Sequence, residues 1–497
     1  GEILDADILF EAEFILAYKN AWRNIVDPVS GAEAFLQTIG HRTTENDQTE
    51  QMTCEYIGMS NDSRAVHEQV MLFHIVSSQL ASSRKDSIRN QFIQDFIRFL
   101  TLHEVGHTLG LRHNFRSSSA IPYEKLYDTK WTEENGIAGS VMDYLPINIG
   151  QNISTNGSFF QDAVGSYDKW AINIGYTPDN QRVEALLKQA SNKEYLYGTD
   201  EDAYGPEAMD PTTNLWALSD DPLGWTMERS QLLQKILEYL PDYVLHNDDR
   251  FYRLTSAFQM IFGAYAGVHA SAVKYIGGAY VNRSHVGDPG GKMPFEPIPL
   301  AEQKRALELL EINIFDTAAL QIPDSVLVQF GPNRWRHWGS TYTIDGRIDY
   351  PWHQQVAEFQ AAVLKELLHP MRLSRILDAE TRWGAETQVG IPELTHRLTN
   401  AIWSELDTNE QISTTRRNLQ RAWIDIMTQF VVNPPEETPP DARSIARLRL
   451  NQVHEQISDY LSSNTLSDTK AEYTRAHLEE SAALIAESLD TGMQRKQ

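Results

Sequence analysis

The chain has 497 residues, of which 41% are hydrophobic and 22% are charged, proportions that are ordinary for a folded globular protein. Its length exceeds what one hydrophobic core usually supports, so we expect two or three packed units and not a single one. The 43 Lys and Arg residues stand against 68 Asp and Glu residues, and this formal charge of -25 argues against nucleic acid as a partner.

The N-terminal residues suggest a strand. Hydrophobic residues alternate loosely with acidic ones from Gly1 to Phe10. No initiator Met, basic n-region or apolar h-region precedes them, so we expect the chain to be a fragment or a processed product. Further on, apolar residues near helical spacing predict a short helix over 64–80.

The clearest predicted helix runs from Ser87 to Leu111. An apolar stripe that includes Phe92, Phe96 and Leu100 follows its helical period, and Asp86 or Ser87 can serve as the N-cap. Gly110 and the polar residues 114–119 mark its end.

Beyond this helix the pattern changes twice. Residues 120–157 read as loops, Tyr167–Ile174 as a helix, and the stretch 196–224, rich in Asp, Gly and Pro, as an irregular connection. After Trp225 helical periodicity dominates, and its chief interruptions are a Gly/Pro-rich stretch at 277–299, an aromatic segment at 330–352 and a Pro-rich linker at 434–440. The predicted helices are 227–245, 250–275, 300–313, 352–379, 393–431, 441–463 and 467–490. We therefore predict an α+β chain with units at 1–195, 196–433 and 434–497, the last a helical hairpin.

Three histidines occur at the spacing of a metal site. His103 and His107 are four residues apart, so on a helix both imidazoles project from one face, one turn apart. A helix continued to His113 would carry that residue away, but Gly110 can end the helix and let the chain turn back. Zinc accepts imidazole nitrogen, and catalytic zinc sites use three protein ligands. We expect His103, His107 and His113 to bind one catalytic Zn²⁺ ion.

Glu104 follows the first predicted ligand directly. In the pattern HExxH this residue is assigned the role of the general base that takes a proton from the zinc-bound water. The longer pattern HExxHxxGxxH is far more specific than the short one, because it fixes two further residues. Two surface histidines and a Glu on an ordinary helix are the alternative interpretation.

About thirty residues downstream lies the stretch Ser140-Val-Met-Asp-Tyr144. Together with residues 103–115, HEVGHTLGLRHNF, and the later YDKWAINIGY and YIGGAYVNR, it resembles the metzincin zinc metallopeptidases. Within that class it is similar to the large bacterial zinc-dependent metalloproteases that carry domains of unknown function. The first two motifs are the chemically specific ones.

The resemblance implies a fold and further roles. It makes unit 1–195 a metzincin-like catalytic domain with an edge strand, an active-site helix and a Met-turn, followed by a mainly helical region. Met142 would form the hydrophobic floor beneath the histidines, and Tyr144 would contact the metal or the oxyanion. Gly1–Phe10 would be the edge strand that pairs with substrate, so a separate or missing N-terminal segment would complete the sheet. The family also suggests export, and Asn114 falls outside the four best-known branches.

These features predict a zinc-dependent endopeptidase, with Glu104 as base and a peptide or protein as substrate. Two alternatives stay open: a non-catalytic zinc-containing binding or scaffold protein, and a hydrolase of a non-peptide amide. The acidic stretch Asp200–Asp221 could bind calcium or form a solvated loop, but it does not follow the EF-hand pattern. The single cysteine, Cys54, excludes an internal disulfide framework and a thiolate zinc knuckle.

Overall fold

A computed structural model describes residues 72–73, 75–76, 82–151, 156–205, 208–332, 347–408, 410–463 and 469–491. The predicted strand Gly1–Phe10 lies outside the described residues, as does Cys54. Of the helix predicted over 64–80, four residues are described, and these are helical and buried. None of the helices in the described ranges is both long and apolar enough to cross a membrane.

The first long helix, α1, spans Ser82–Thr108. Its apolar stripe is buried, and the rings of Phe92, Phe96 and Phe99 lie 5.2, 5.4 and 6.2 Å from the ring of Phe160. The helix begins five residues before the predicted start at Ser87, so neither Asp86 nor Ser87 is its N-cap. It ends three residues before the predicted end, because the chain already leaves the helix at Leu109 and Gly110.

Short helices and irregular segments follow α1. The helix predicted at Tyr167–Ile174 is confirmed with slightly wider bounds, whereas a short helix within 120–157 was not expected. The stretch 196–224 is mostly irregular, as predicted, with one short helix in it. The helices of this part are α2 (Thr129–Asn135), α3 (Ser166–Tyr176), α4 (Asn180–Leu187) and α5 (Asp200–Ala203).

The rest of the chain is mainly helical, as predicted, but the helices are shorter and more numerous. They are α6 (Pro222–Glu238), α7 (Leu240–Val244), α8 (Tyr252–Val268), α9 (Ala270–Val273), α10 (Leu300–Leu310), α11 (Asp324–Leu327), α12 (Trp352–Leu367), α13 (Pro370–Trp383), α14 (Ile391–Ile402), α15 (Glu405–Thr408), α16 (Thr414–Val432), α17 (Pro440–Ser463) and α18 (Thr469–Asp490). A π-helical turn, Glu311–Phe315, extends α10.

The prediction of one helix over 393–431 is wrong, since α14, α15 and α16 divide this stretch. The guanidinium group of Arg416 stabilises the break. It donates to the carbonyl oxygens of Ala401 and Ile402, both at 2.7 Å, and so satisfies the end of α14. The same group forms a buried ion pair with Glu405 at 2.5 Å.

One small sheet accounts for the strands in the described ranges. Strand β1 (Ala279–Val281) pairs antiparallel with β2 (Phe295–Pro297), and Tyr280 lies opposite Glu296. The described part is therefore predominantly helical with a two-stranded sheet, which is consistent with the α+β class.

Two large hydrophobic clusters organise the helices. One joins α1 with α6 and α8, through residues such as Phe96, Leu233 and Phe258. The other runs from α9 to α18 and includes Leu450 and Leu478, so the two C-terminal helices share a core with the helices before the Pro-rich linker. The division into units at 1–195, 196–433 and 434–497 stays a prediction.

Candidate metal centre

Two segments bring three histidines together. His103 and His107 lie one turn apart on α1, and His113 lies on the segment that returns after the helix ends. One ligand atom from each residue can be chosen so that all three lie within 4.8 Å of one another. His103 and His113 are buried and His107 is half-buried. Among the described residues, this is the one group of three or more His, Cys, Asp or Glu side chains that could hold a metal ion.

The ending of α1 delivers the third histidine. Gly110 has a φ of 84°, the left-handed conformation that glycine adopts without strain. The N–H of Gly110 donates to the carbonyl oxygen of His107 at 2.9 Å, and the N–H of Leu111 donates to the carbonyl oxygen of Gly106 at 3.0 Å. These two bonds form a Schellman motif, which ends the helix and turns the chain back.

A hydrogen bond at Nδ1 holds each imidazole ring. The Nδ1 atom of His107 lies 3.0 Å from the carbonyl oxygen of Leu111, in the turn itself. That of His103 lies 2.8 Å from the carbonyl oxygen of Val141. That of His113 lies 2.9 Å from Oδ1 of Asp200. These acceptors favour the tautomer with the proton on Nδ1, so Nε2 is the atom that each ring can offer to a metal.

The residues fit a zinc ion. The Nε2 atoms of His107 and His113 are buried and have no hydrogen-bond partner among the described residues. Buried polar atoms are normally satisfied, so two imidazole nitrogens in this state are suited to bind a metal ion. Burial lowers the pKa of His103 to about 3 and also lowers the pKa of His107, which keeps these rings neutral, as metal binding requires.

Glu104 is placed beside the histidines. Its Oε1 atom is buried and has no hydrogen-bond partner within the described part of the chain. Its charge acts on His107 and favours the protonated form of that ring. A carboxylate oxygen that no protein donor occupies can accept a proton from a bound molecule.

Met142 lies directly under α1. A Cβ atom added to Gly106, between the two helical histidines, would overlap with its Sδ atom. The side chain of Met142 is fully buried. The backbone carbonyl oxygen of Met142 accepts a hydrogen bond from the N–H of Asn114 at 2.9 Å. The residue after the third histidine is thus tied to the predicted Met-turn.

Tyr144 packs against two of the histidines. Its ring centroid lies 4.6 Å from that of His113 and 5.5 Å from that of His103, and the side chain is fully buried. The structure therefore brings together all six residues that the sequence singled out: His103, Glu104, His107, His113, Met142 and Tyr144.

Asp168 anchors the Met-turn, a role that the sequence did not reveal. Its buried carboxylate accepts hydrogen bonds from Ser140 Oγ at 2.5 Å, from the N–H of Val141 at 2.9 Å and from the N–H of Gly165 at 2.9 Å. Since the carbonyl of Val141 holds His103, Asp168 supports the first ligand indirectly. The residue lies in the YDKW motif, but no short-range pattern connects it with the turn.

Asp200 is the second residue that the sequence did not assign to the site. Burial alone would raise its pKa, but the hydrogen bond with His113 holds that pKa below its ordinary value. Other carboxylates of the acidic stretch also have cationic partners: Asp202 pairs with Arg283 and Asp221 with Arg305. Within the described residues this stretch forms no cluster suited to a cation, so a calcium site has no support.

Comparison with known proteins supplies the family. No curated protein and no solved structure matches the chain. A protein-family model described as Met-zincin matches residues 85–410, which is more than half of the chain. The match covers α1, the three histidines, the Met-turn and the helices up to α15. The chain therefore belongs to the Met-zincin family of zinc metallopeptidases.

Proposed function

We propose that the chain is a zinc-dependent endopeptidase. One observation carries the proposal: three imidazole rings, each held through Nδ1, bring one ligand atom apiece within 4.8 Å of one another. Beside them lies Oε1 of Glu104, which has no hydrogen-bond partner among the described residues. Family membership supports zinc and peptide hydrolysis in general terms. Endopeptidase action and the role of Glu104 as base are the specific content of the proposal.

His103, His107 and His113 would hold zinc through their Nε2 atoms. Zinc, when bound, supplies a Lewis acid that lowers the pKa of water to about 7 and polarises a carbonyl group. The carbonyls of Val141 and Leu111 and the carboxylate of Asp200 orient the three rings. Their acceptor character also makes the imidazoles better donors to a metal.

Glu104 carries the proton in this mechanism. Its Oε1 accepts a proton from the attacking water and passes it to the nitrogen of the leaving amine. Tyr144, whose ring packs against that of His113, would offer its hydroxyl hydrogen to the developing oxyanion. Met142 fixes the underside of α1 and so keeps the two helical histidines in place.

Glu104→Gln in the full chain tests the proposal. We expect this variant to bind one equivalent of zinc, like the wild type, and to lose about 10²–10⁴-fold in the rate of peptide hydrolysis. Glu124→Gln is the matched control, because it removes an exposed carboxylate outside α1 and the Met-turn. Metal analysis and cleavage of a broad peptide library provide the two measurements.

Two outcomes would contradict the proposal. Retained hydrolysis in Glu104→Gln would exclude this residue as the base. A wild-type protein that binds zinc and cleaves no peptide in the library would favour the scaffold function or, if it cleaves small amides, the hydrolase of a non-peptide substrate.

A further inference from the structure

A cavity of about 280 Å³ lies next to the segment that supports the third histidine. Four aromatic side chains form much of its wall: Tyr167, Trp170, Tyr195 and Tyr197. The rings stack in pairs, with centroids 5.8 Å apart for Tyr167 and Tyr197 and 5.1 Å apart for Trp170 and Tyr195. Stacking of this kind gives the cavity rigid, flat walls before any ligand enters.

The wall of the cavity and the support of the metal centre share one stretch of backbone. The side chain of Asn114, which follows His113, donates to the carbonyl of Leu196 at 3.1 Å and accepts from the N–H of Gly198 at 3.2 Å. Leu196 and Tyr197 line the cavity. Asp200, which holds His113, follows three residues after Tyr197. The wall of the cavity is thus joined to the segment that carries His113 through the side chain of Asn114.

The lining is cationic although the chain as a whole is acidic. Arg116, Lys188, Arg283 and Lys292 line the cavity, against one acidic residue, Asp288. The formal charge of the whole chain is -25, so this local excess of positive charge runs against the composition. Lys188 has no ion-pair partner among the described residues.

The acidic partners of the other three cations lie outside the lining. Arg283 pairs with Asp202 at 2.6 Å, Arg116 with Asp210 at 3.3 Å and Lys292 with Glu296 at 3.1 Å. None of these three carboxylates contributes to the wall. The guanidinium of Arg283 also lies over the ring of Tyr197, 5.4 Å from its centroid.

We propose that this cavity binds a carboxylate group of the peptide substrate. The inference rests on the proposed peptidase function, which it deepens by naming a substrate preference. The volume is at the small end for ligand sites and suits one or two side chains. Aromatic walls can cover the methylene groups of the substrate, while the ammonium groups of Lys188 and Lys292 neutralise its charge. The carboxylate can belong to an acidic side chain or to the C-terminus of the peptide.

A set of matched peptides tests the proposal by kinetics. Starting from one peptide that the wild type cleaves, Glu or Gln is placed at each position in turn. Each of these peptides is made with a free and with an amidated C-terminus. For the wild type we expect kcat/KM on the order of tenfold higher for the charged member at one position or at the terminus. A preference for Glu over Gln identifies a side chain as the source of the carboxylate. A preference for the free over the amidated peptide identifies the C-terminus.

The variants Lys188→Gln and Lys292→Gln should each reduce this preference by about threefold, mainly through KM. Lys365→Gln is the matched control, because it removes one exposed lysine on α12 and should leave the preference unchanged. A wild-type enzyme that cleaves the charged and uncharged members equally at every position would overturn the inference. So would a preference that Lys188→Gln and Lys292→Gln do not alter.

A binding measurement separates this inference from the proposed function. Calorimetry with the zinc-loaded Glu104→Gln protein and the same peptide pairs requires no turnover. If no peptide is hydrolysed by the wild type but the charged members bind more tightly in a Lys188-dependent way, the peptidase function fails and the carboxylate site stands. If peptides are hydrolysed but charged and uncharged members bind equally, the site fails and the function stands.

Discussion

Oδ1 of Asp200 lies 2.9 Å from Nδ1 of His113, although 87 positions separate the two residues in the chain. This contact joins the third histidine to a stretch that in sequence looks like a connection between units. A carboxylate behind a metal-binding histidine fixes the orientation of the ring and raises its basicity.

Asp200→Ala should weaken zinc binding by about 10–100-fold, because His113 loses the acceptor that orients it. Competition with a chromogenic chelator measures this change. Glu201→Gln is the control: this exposed neighbour contacts Arg112 at 2.9 Å and no histidine. Equal zinc affinities for Asp200→Ala and the wild type would show that the contact does not support the metal.

Asp168→Asn should lower the free energy of unfolding by about 1–3 kcal/mol. In the wild type both carboxylate oxygens accept hydrogen bonds from Ser140, Val141 and Gly165. The amide of Asn replaces one of these oxygens by an NH2 group, which cannot accept, so at least one of the three donors is left unsatisfied. Urea unfolding measures the effect. Asp128→Asn should change stability by less than about 0.5 kcal/mol, since Asp128 is an exposed N-cap and Asn caps equally well. Similar losses in both variants would contradict a special role for Asp168.

Gly110→Ala should destabilise the protein by about 1–2 kcal/mol, because alanine is strained at a φ of 84°. Gly263→Ala, in the interior of α8, should instead stabilise it by up to about 1 kcal/mol. A Cβ added at either position meets no atom within 4 Å, so backbone conformation is the main difference between the two substitutions. Thermal unfolding measures the stability of both variants relative to the wild type. A Gly110→Ala protein as stable as the wild type would contradict the expected strain.

Acid should destabilise the zinc-free protein partly through His269, a buried residue on the link between α8 and α9. Burial lowers its pKa from 6.5 to about 4. The neutral ring is therefore favoured in the folded state, and this contribution is complete above pH 6.5 and is lost as the pH falls toward 4. One such group accounts for about 3 kcal/mol over that interval.

Urea unfolding between pH 7 and pH 4, in the presence of a chelator, measures this dependence. His269→Gln should show a shallower loss of stability than the wild type, whatever its stability at pH 7. His396→Gln removes an exposed histidine and should keep the wild-type slope. Parallel curves for His269→Gln and the wild type would contradict the assignment.

The features predicted well from sequence are those that short-range patterns encode. Helical pitch alone places His103 and His107 on one face, and the glycine at position 110 marks the end of the helix within three residues. The turn needs a left-handed residue, and few residues other than glycine adopt that conformation readily. The role of Glu104 came from the HExxH motif and the roles of Met142 and Tyr144 from family resemblance, and all three remain proposals.

Asp168 and Asp200 could not be predicted because their contacts are long-range. Each is one acidic residue among the 68 in the chain, and neither occurs at a spacing that connects it with the histidines. The break after Ile402 was missed for a related reason. The side chain that satisfies the end of α14 belongs to Arg416, which lies 14 positions after Ile402, in the first turn of α16.

The hydrophobic cluster that joins α1 with α6 and α8 has a consequence for the order of events during synthesis. The histidines are all translated by residue 113, whereas Leu233 and Phe258, which share a core with Phe96, follow more than a hundred residues later. A ribosome-bound chain therefore contains every candidate zinc ligand well before it can bury the helix that carries two of them. Hydrolytic activity would then begin only once at least half of the chain has been made.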